Sequence, residues 1–165
     1  MTQAIVYSSK TGNTKLLAET IQTTLPACQY CGTPCDDARD ADVLFVGFWT
    51  DKGQCDDTIA AFLKTLENKK VFLFGTAGFG GAPKYFAQIL DRVAKHLPDS
   101  AQLIGSYMCQ GKMPMSVRNS YQKMKETGTG IPNVDVMLAN FDAALSHPDN
   151  DDLAALKNAV ETALA

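Results

Sequence analysis

The chain has 165 residues, 45% of them hydrophobic and 20% charged, and carries a formal charge of −3. A chain of this size buries about 70% of its unfolded surface, so one domain over residues 1–165 can build a core without staples. The slightly acidic balance disfavours a nucleic-acid face, and no apolar run approaches the ~18 residues a membrane helix needs. Residues 1–14 (MTQAIVYSSKTGNT) lack a basic leader and turn polar after a short apolar run, which reads as a strand and predicts a cytoplasmic protein.

Short continuous apolar runs alternate with segments of helical period. A strand is expected at 3–8, followed by a helix over 14–25 with Leu17, Ile21 and Leu25 on one face and Pro26 closing it. Residues 27–35 hold a short edge strand interrupted by Gly32 and Pro34. Continuous apolar runs at 43–48 (VLFVGF) and 71–75 (VFLFG) read as strands buried on both faces. Between them, Ile59, Phe62, Leu63 and Leu66 mark a helix over 56–66. A second amphipathic helix spans 83–97, with Pro83 at its first position, and a strand follows at about 102–109. Three further helices are expected at 115–127, 134–145 and 151–164, the first of them polar and capped by Gly128. The stretch from about 112 to 133 exceeds a simple crossover and reads as an added helical excursion that covers the site, docks a partner or merely decorates the surface.

This alternation predicts an α/β fold: a doubly wound, five-stranded parallel sheet of order 2-1-3-4-5 with helices on both faces. Ligands in such sheets bind outside the carboxyl ends of the strands, at the switch point beside the first. There stands Ser8-Ser9-Lys10-Thr11-Gly12-Asn13-Thr14. Hydroxyl and amide donors, a glycine and a helix amino terminus suit a phosphate; a Ser/Thr-rich helix cap is the plainer reading. The segment has neither GxxxxGK[ST] nor GxGxxG, which removes a nucleotide-hydrolysing loop and a dinucleotide fingerprint. It has no acidic pair for the magnesium of a receiver domain and no cysteine for a small phosphatase.

S-S-K-T-G-N-T, directly after an apolar strand and opening a helix, resembles the FMN-phosphate loop of the flavodoxin family, and strand and loop order extend the likeness along the chain. The resemblance implies a flavodoxin-like fold and FMN as cofactor, with Ser9, Lys10, Thr11, Gly12, Asn13 and Thr14 around the phosphate. Lys10 is a departure, since the family often has an uncharged residue there. Two later loops then fall where the family grips the flavin ring: Phe48-Trp49-Thr50-Asp51-Lys52-Gly53, and the glycine-rich segment from Gly75 to Tyr85. Trp49 is read as a ring contact, with Phe79 and Tyr85 competing for the opposite face. Thr76, Ala77, Gly78 and Gly80 offer backbone groups to the ring edge. Gly53 or Gly78 would host the family's peptide flip, and Lys52, if near the ring's N1–O2 edge, would raise the flavin potential. GFWTDKG, CQGKMP (109–114) and SHPDNDDL (146–153) are most similar to a smaller subgroup, the flavodoxin-like partners of bacterial bilirubin reductases and related proteins of anaerobes. That likeness makes Gln110, Gly111 and Lys112 a third cofactor-edge loop.

The five cysteines at 28, 31, 35, 55 and 109 are read as reduced thiols. Cys28, Cys31 and Cys35 lack a convincing fourth ligand for zinc or a cluster, so no metal is expected, although a reversible disulfide among them is open. Cys109 is expected to be buried, and neither His96 nor His147 forms a catalytic pair. Together these features imply an FMN-binding electron carrier, cycling between oxidised and reduced flavin, with redox proteins as donor and acceptor and with no nucleic acid or membrane as partner. The chain itself is expected to be a monomer or weak dimer. An FMN-dependent reductase of NAD(P)H or a small substrate is one alternative, and a non-redox module with a degenerate flavin site is the other.

Overall fold

The computed structural model describes residues 1–80, 82–129 and 132–165. In chain order the elements are β1 (Gln3–Tyr7), α1 (Asn13–Thr24), β2 (Tyr30–Gly32), α2 (Asp36–Arg39), β3 (Val43–Asp51), β4 (Gln54–Cys55) and α3 (Asp57–Leu63). They continue as β5 (Lys70–Ala77), α4 (Pro83–Ala94), β6 (Gln102–Gln110), α5 (Met115–Thr127), α6 (Val134–Ala144) and α7 (Asn150–Leu164). Five strands form a parallel sheet in the order β2-β1-β3-β5-β6, and β4 pairs with β3 off that path. Renumbered without β4, this is the expected doubly wound order.

Strand alternation divides the core into two layers. Ile5, Phe45, Phe72 and Phe74 face α1 and α7, where Leu17, Ile21, Leu156 and Val160 close the layer. Their neighbours Val6, Leu44, Val46, Phe48 and Leu73 face the opposite way, onto Ile59 and Leu63 of α3 and Ile89 and Val93 of α4. Each such fully buried side chain contributes about 1.5–3 kcal/mol of transfer free energy, which fixes the register because a one-residue slip would expose the set.

Several boundaries differ from the sequence reading. Residues 49–51, expected as loop, continue β3 and turn back through β4, with Thr50 paired to Cys55 and Asp51 to Gln54. Lys52 (φ 52°) and Gly53 (φ 75°) make the two-residue turn, both in the left-handed conformation that such a tight hairpin requires. Thr76 and Ala77 are likewise strand rather than loop, extending the run expected at 71–75. The helix expected at 56–66 is shorter, and α2 is a single turn that no apolar period announces. Pro83 occupies the start of α4, and Gly128 caps α5 at φ 65°, as the sequence suggests. Among the described residues no helix is long and apolar enough to cross a membrane.

Candidate functional site

The carboxyl ends of β1, β3, β5 and β6 open onto one cleft of about 300 Å³. Its first wall is the β1–α1 loop. Ser8 extends β1 by donating its N–H to the Gly47 carbonyl at 3.1 Å, and the chain then leaves the sheet. Gly12 adopts φ +90°, which a side chain rarely tolerates, and so turns the loop into the helix. The helical ladder begins with Leu16 N–H to Gly12 C=O at 3.0 Å, so the Asn13 and Thr14 amides precede it. Ser9 Oγ accepts the N–H groups of Gly12 and Lys15 at 3.2 and 3.3 Å and thereby caps the turn.

Two buried side chains lock this loop to the rest of the sheet. Asn13 Nδ2 donates to Thr11 Oγ1 at 3.0 Å and to the Lys112 carbonyl at 2.8 Å. Thr14 Oγ1 donates to the Phe48 carbonyl at 3.1 Å and lies 3.1 Å from Thr76 Oγ1. Thr76 is itself buried, and its carbonyl accepts the Thr50 hydroxyl at 2.8 Å. Two polar clusters on adjacent residues therefore tie the start of α1 to the ends of β3 and β5 and to the segment after β6. Unpaired buried hydroxyls and amides are costly, so each member holds the others in place.

Trp49 stands half-buried on β3, paired with Thr76 across the sheet rather than free in a loop. The Lys10 ammonium lies 5.0 Å above its ring centroid, within cation–π range. Lys10 and Lys112 both line the cleft, and among the described residues no carboxylate does. Met113, Pro114, Ser116 and Val117 form the remaining wall, where β6 passes into α5. Gly78 lies so close to this wall that a Cβ there would sit 2.6 Å from Met113 Cγ. The Gly78 carbonyl accepts from Gln110 Nε2 at 3.0 Å and from Asn140 Nδ2 at 3.1 Å, which fixes its peptide.

Of the residues singled out from the sequence, Lys10, Thr11, Asn13, Trp49, Thr50, Thr76, Ala77, Gly78, Gly111 and Lys112 line the cleft. Gly12 lines a smaller recess of about 200 Å³ behind the loop, together with Lys112 and His147. Ser9, Thr14 and Gln110 act from behind through hydrogen bonds. The Phe48 side chain is fully buried in the core, because strand alternation turns it away from the edge; only its carbonyl reaches the network. Tyr85 packs with Phe86 against that core, at a centroid separation of 6.2 Å, and does not line the cleft. Phe79 and Gly80 also stand outside its lining. Asp51, Lys52 and Gly53 lie on the hairpin tip, with the Gly53 carbonyl held by Arg92 Nη1 at 3.2 Å. Met113, Pro114, Ser116 and Val117 also line the cleft and were not assigned to it from the sequence, although Met113 and Pro114 lie in the CQGKMP likeness and all four in the excursion offered as a cover for the site.

The cysteines separate by layer. Cys28 and Cys31 pack on the α1 face, whereas Cys35 packs on the α3 face. Cys109 is buried on β6, and burial pushes its thiol up to about 12. His147 Nδ1 lies 2.6 Å from Asp152 Oδ2, which also accepts the Asp149 N–H in the capping box of α7.

Residues 4–161 match the flavodoxin domain family model. The chain belongs to the flavodoxin family. Over 96% of its length and 93% of the relative's it is 40% identical to flavodoxin-like domain-containing protein BilS of Clostridium symbiosum. The finer subgroup likeness read from the sequence is borne out by that relative. Among solved structures it is similar in fold to oxidised flavodoxin 2 from Bacillus cereus, with 16% identity, TM-score 0.57 and coverage of 99% and 98% of the two chains. A flavoprotein from Lactobacillus acidophilus, solved in complex with FMN, shares the fold over 66% of this chain and 93% of its own, with TM-score 0.51 and 16% identity.

Proposed function

We propose that the cleft binds one FMN without a covalent bond and that this protein carries electrons between redox proteins. The observation that carries this reading is the buried Thr14 hydroxyl, which ties the start of α1 to the Phe48 carbonyl and to Thr76, on the strands that present Trp49 and its partner. The donor set fits the group. Free amides at the start of α1, the Thr11 hydroxyl and the Lys10 and Lys112 ammonium groups suit a phosphate dianion, and Trp49 suits an apolar planar ring. When bound, FMN supplies the redox chemistry, taking up and releasing electrons at its ring.

The protein's part is to bind, orient and tune. Thr11, Asn13 and Lys10 seat the phosphate, and Trp49 covers one ring face. Thr50, Thr76 and Ala77 offer polar groups and backbone along the cleft floor. Met113, Pro114 and Val117 keep water from the rest of the Trp49 wall, and a dry wall disfavours added negative charge on the ring. The subgroup likeness supports a bilirubin reductase as the acceptor, in the cytoplasm of an anaerobe, with the chain acting as a monomer or weak dimer.

The test is anaerobic photoreduction of the FMN-loaded protein, then mixing with a bilirubin reductase. Flavin reoxidation that depends on the reductase supports the carrier. Steady turnover with NAD(P)H alone would instead make the protein a reductase in its own right.

A further inference from the structure

The segment SHPDNDDL (146–153) contributes no residue to the cleft, yet its start lies against the β1–α1 loop. Ser146 and His147 share the recess behind that loop with Thr11, Gly12 and Asn13. The His147 carbonyl accepts the Lys112 N–H at 3.0 Å, and the Lys112 carbonyl in turn accepts from Asn13 Nδ2 at 2.8 Å. Asn13 has two amide hydrogens, and the second goes to Thr11 Oγ1 at 3.0 Å. The Thr11 oxygen therefore accepts from within the protein and keeps its own hydrogen to donate to a ligand in the cleft. Gly111 leaves this chain of bonds little room, since a Cβ there would collide with the Asn13 amide.

The far end of the chain is latched. His147 Nδ1 lies 2.6 Å from Asp152 Oδ2; a carboxylate oxygen only accepts, so Nδ1 carries the hydrogen. The same oxygen accepts the Asp149 N–H at 2.8 Å, while Asp149 Oδ1 accepts the Asp152 N–H at 2.9 Å, the reciprocal cap of α7. Tyr107 of β6 donates its hydroxyl to the Asp152 carbonyl at 2.8 Å, which ties the cap to the sheet. The His147 N–H donates to the Ala144 carbonyl at 3.0 Å, so the backbone is held at the end of α6 and the ring at the start of α7. The His147 and Asp152 side chains are only 28% and 19% exposed, so water poorly replaces their bond if it is lost.

We infer that His147 is a positioning residue of the phosphate end, holding the Lys112 peptide so that the Asn13 amide, and through it the Thr11 hydroxyl, is aimed at the ligand. The inference rests on the FMN reading of the cleft. Its own content is the hydrogen-bonded path from the α7 cap to Thr11, which exists without any ligand.

The experiment has two readouts on the wild type, His147→Ala and His147→Asn, the last of which keeps an amide nitrogen near the Nδ1 position. The first is amide hydrogen exchange in the flavin-free protein, followed by NMR. Lys112 N–H should exchange at least about tenfold faster in His147→Ala. Its neighbour Gly111 N–H, bonded to the Ala77 carbonyl at 2.9 Å, should keep the wild-type rate and so exclude general loosening. The second is flavin affinity. FMN should bind His147→Ala roughly fivefold to tenfold more weakly, about one hydrogen bond's worth, while riboflavin, which lacks the phosphate, changes little. His147→Asn should recover most of both effects.

Unchanged Lys112 exchange, Gly111 exchange that rises as much as that of Lys112, equal losses for FMN and riboflavin, or an Asn variant no better than Ala would each overturn the inference. Should His147→Ala not fold, His147→Gln serves instead, because it keeps bulk but carries its amide past the Nδ1 position; wild-type Lys112 exchange in that variant sinks the idea. A wild type that binds no FMN defeats the cofactor reading, while the flavin-free exchange still judges the path from His147 to Lys112.

Discussion

The two walls of the cleft are built on different principles. The β1–α1 wall is local: six consecutive residues, a glycine at φ +90° and a helix terminus make it, and Ser9 caps it from within. The opposite wall is assembled from Trp49 on β3, Gly78 after β5 and Met113 to Val117 entering α5, segments distant in sequence. The local wall is preformed by its own chain geometry. The assembled wall depends on packing.

That contrast can be broken most sharply at Gly12. Placing a β-branched side chain at φ +90° costs about 2 kcal/mol or more, equivalent to roughly 30-fold in binding. Gly12→Val should therefore weaken FMN by at least about that factor in a fluorescence titration. Riboflavin, which lacks the phosphate, should lose far less. Equal losses for both flavins would show that the two walls do not act separately.

A smaller effect is expected across the assembled wall. Gly78→Ala drives a methyl into Met113 and should weaken both flavins alike, by roughly tenfold for a strain near 1.4 kcal/mol. Met113→Ala in the same chain should restore most of that loss by opening the space. A Gly78→Ala variant that binds normally would mean that Met113 swings aside and that the wall is soft.

The fold was readable because strands buried on both faces leave continuous apolar runs and helices leave a 3.6-residue stripe. The Ser8–Thr14 loop was readable for the same reason the first wall is local: its chemistry lies in one short segment. The hairpin was not, because Trp49-Thr50-Asp51 carries no alternation that separates strand from loop, and Lys52 takes a left-handed conformation usually given to Asn or Gly. Tyr85 was drawn to the ring by residue type, whereas the α4 face packs it, partly buried, against the core; Phe48, placed in a ring loop, is a strand residue whose side chain alternation turns into the core. Met113, Pro114, Ser116 and Val117 could not be assigned to the wall from the sequence, because their place in it depends on where α5 packs.

The smallest expected effect concerns Lys52. At the exposed hairpin tip, outside the cleft lining, its charge is screened by solvent. Lys52→Met should leave the FMN midpoint potentials unchanged within error in potentiometric titration. A clear fall in those potentials would bring the hairpin tip over the ring and merge it with the assembled wall.

The account stands most directly on flavin binding itself. Adding FMN to the flavin-free protein should quench the Trp49 emission to a saturating endpoint of one flavin per chain, with Gly12→Val shifting that curve to higher concentration. A protein that stays colourless, and whose tryptophan emission does not respond to excess FMN, would contradict it.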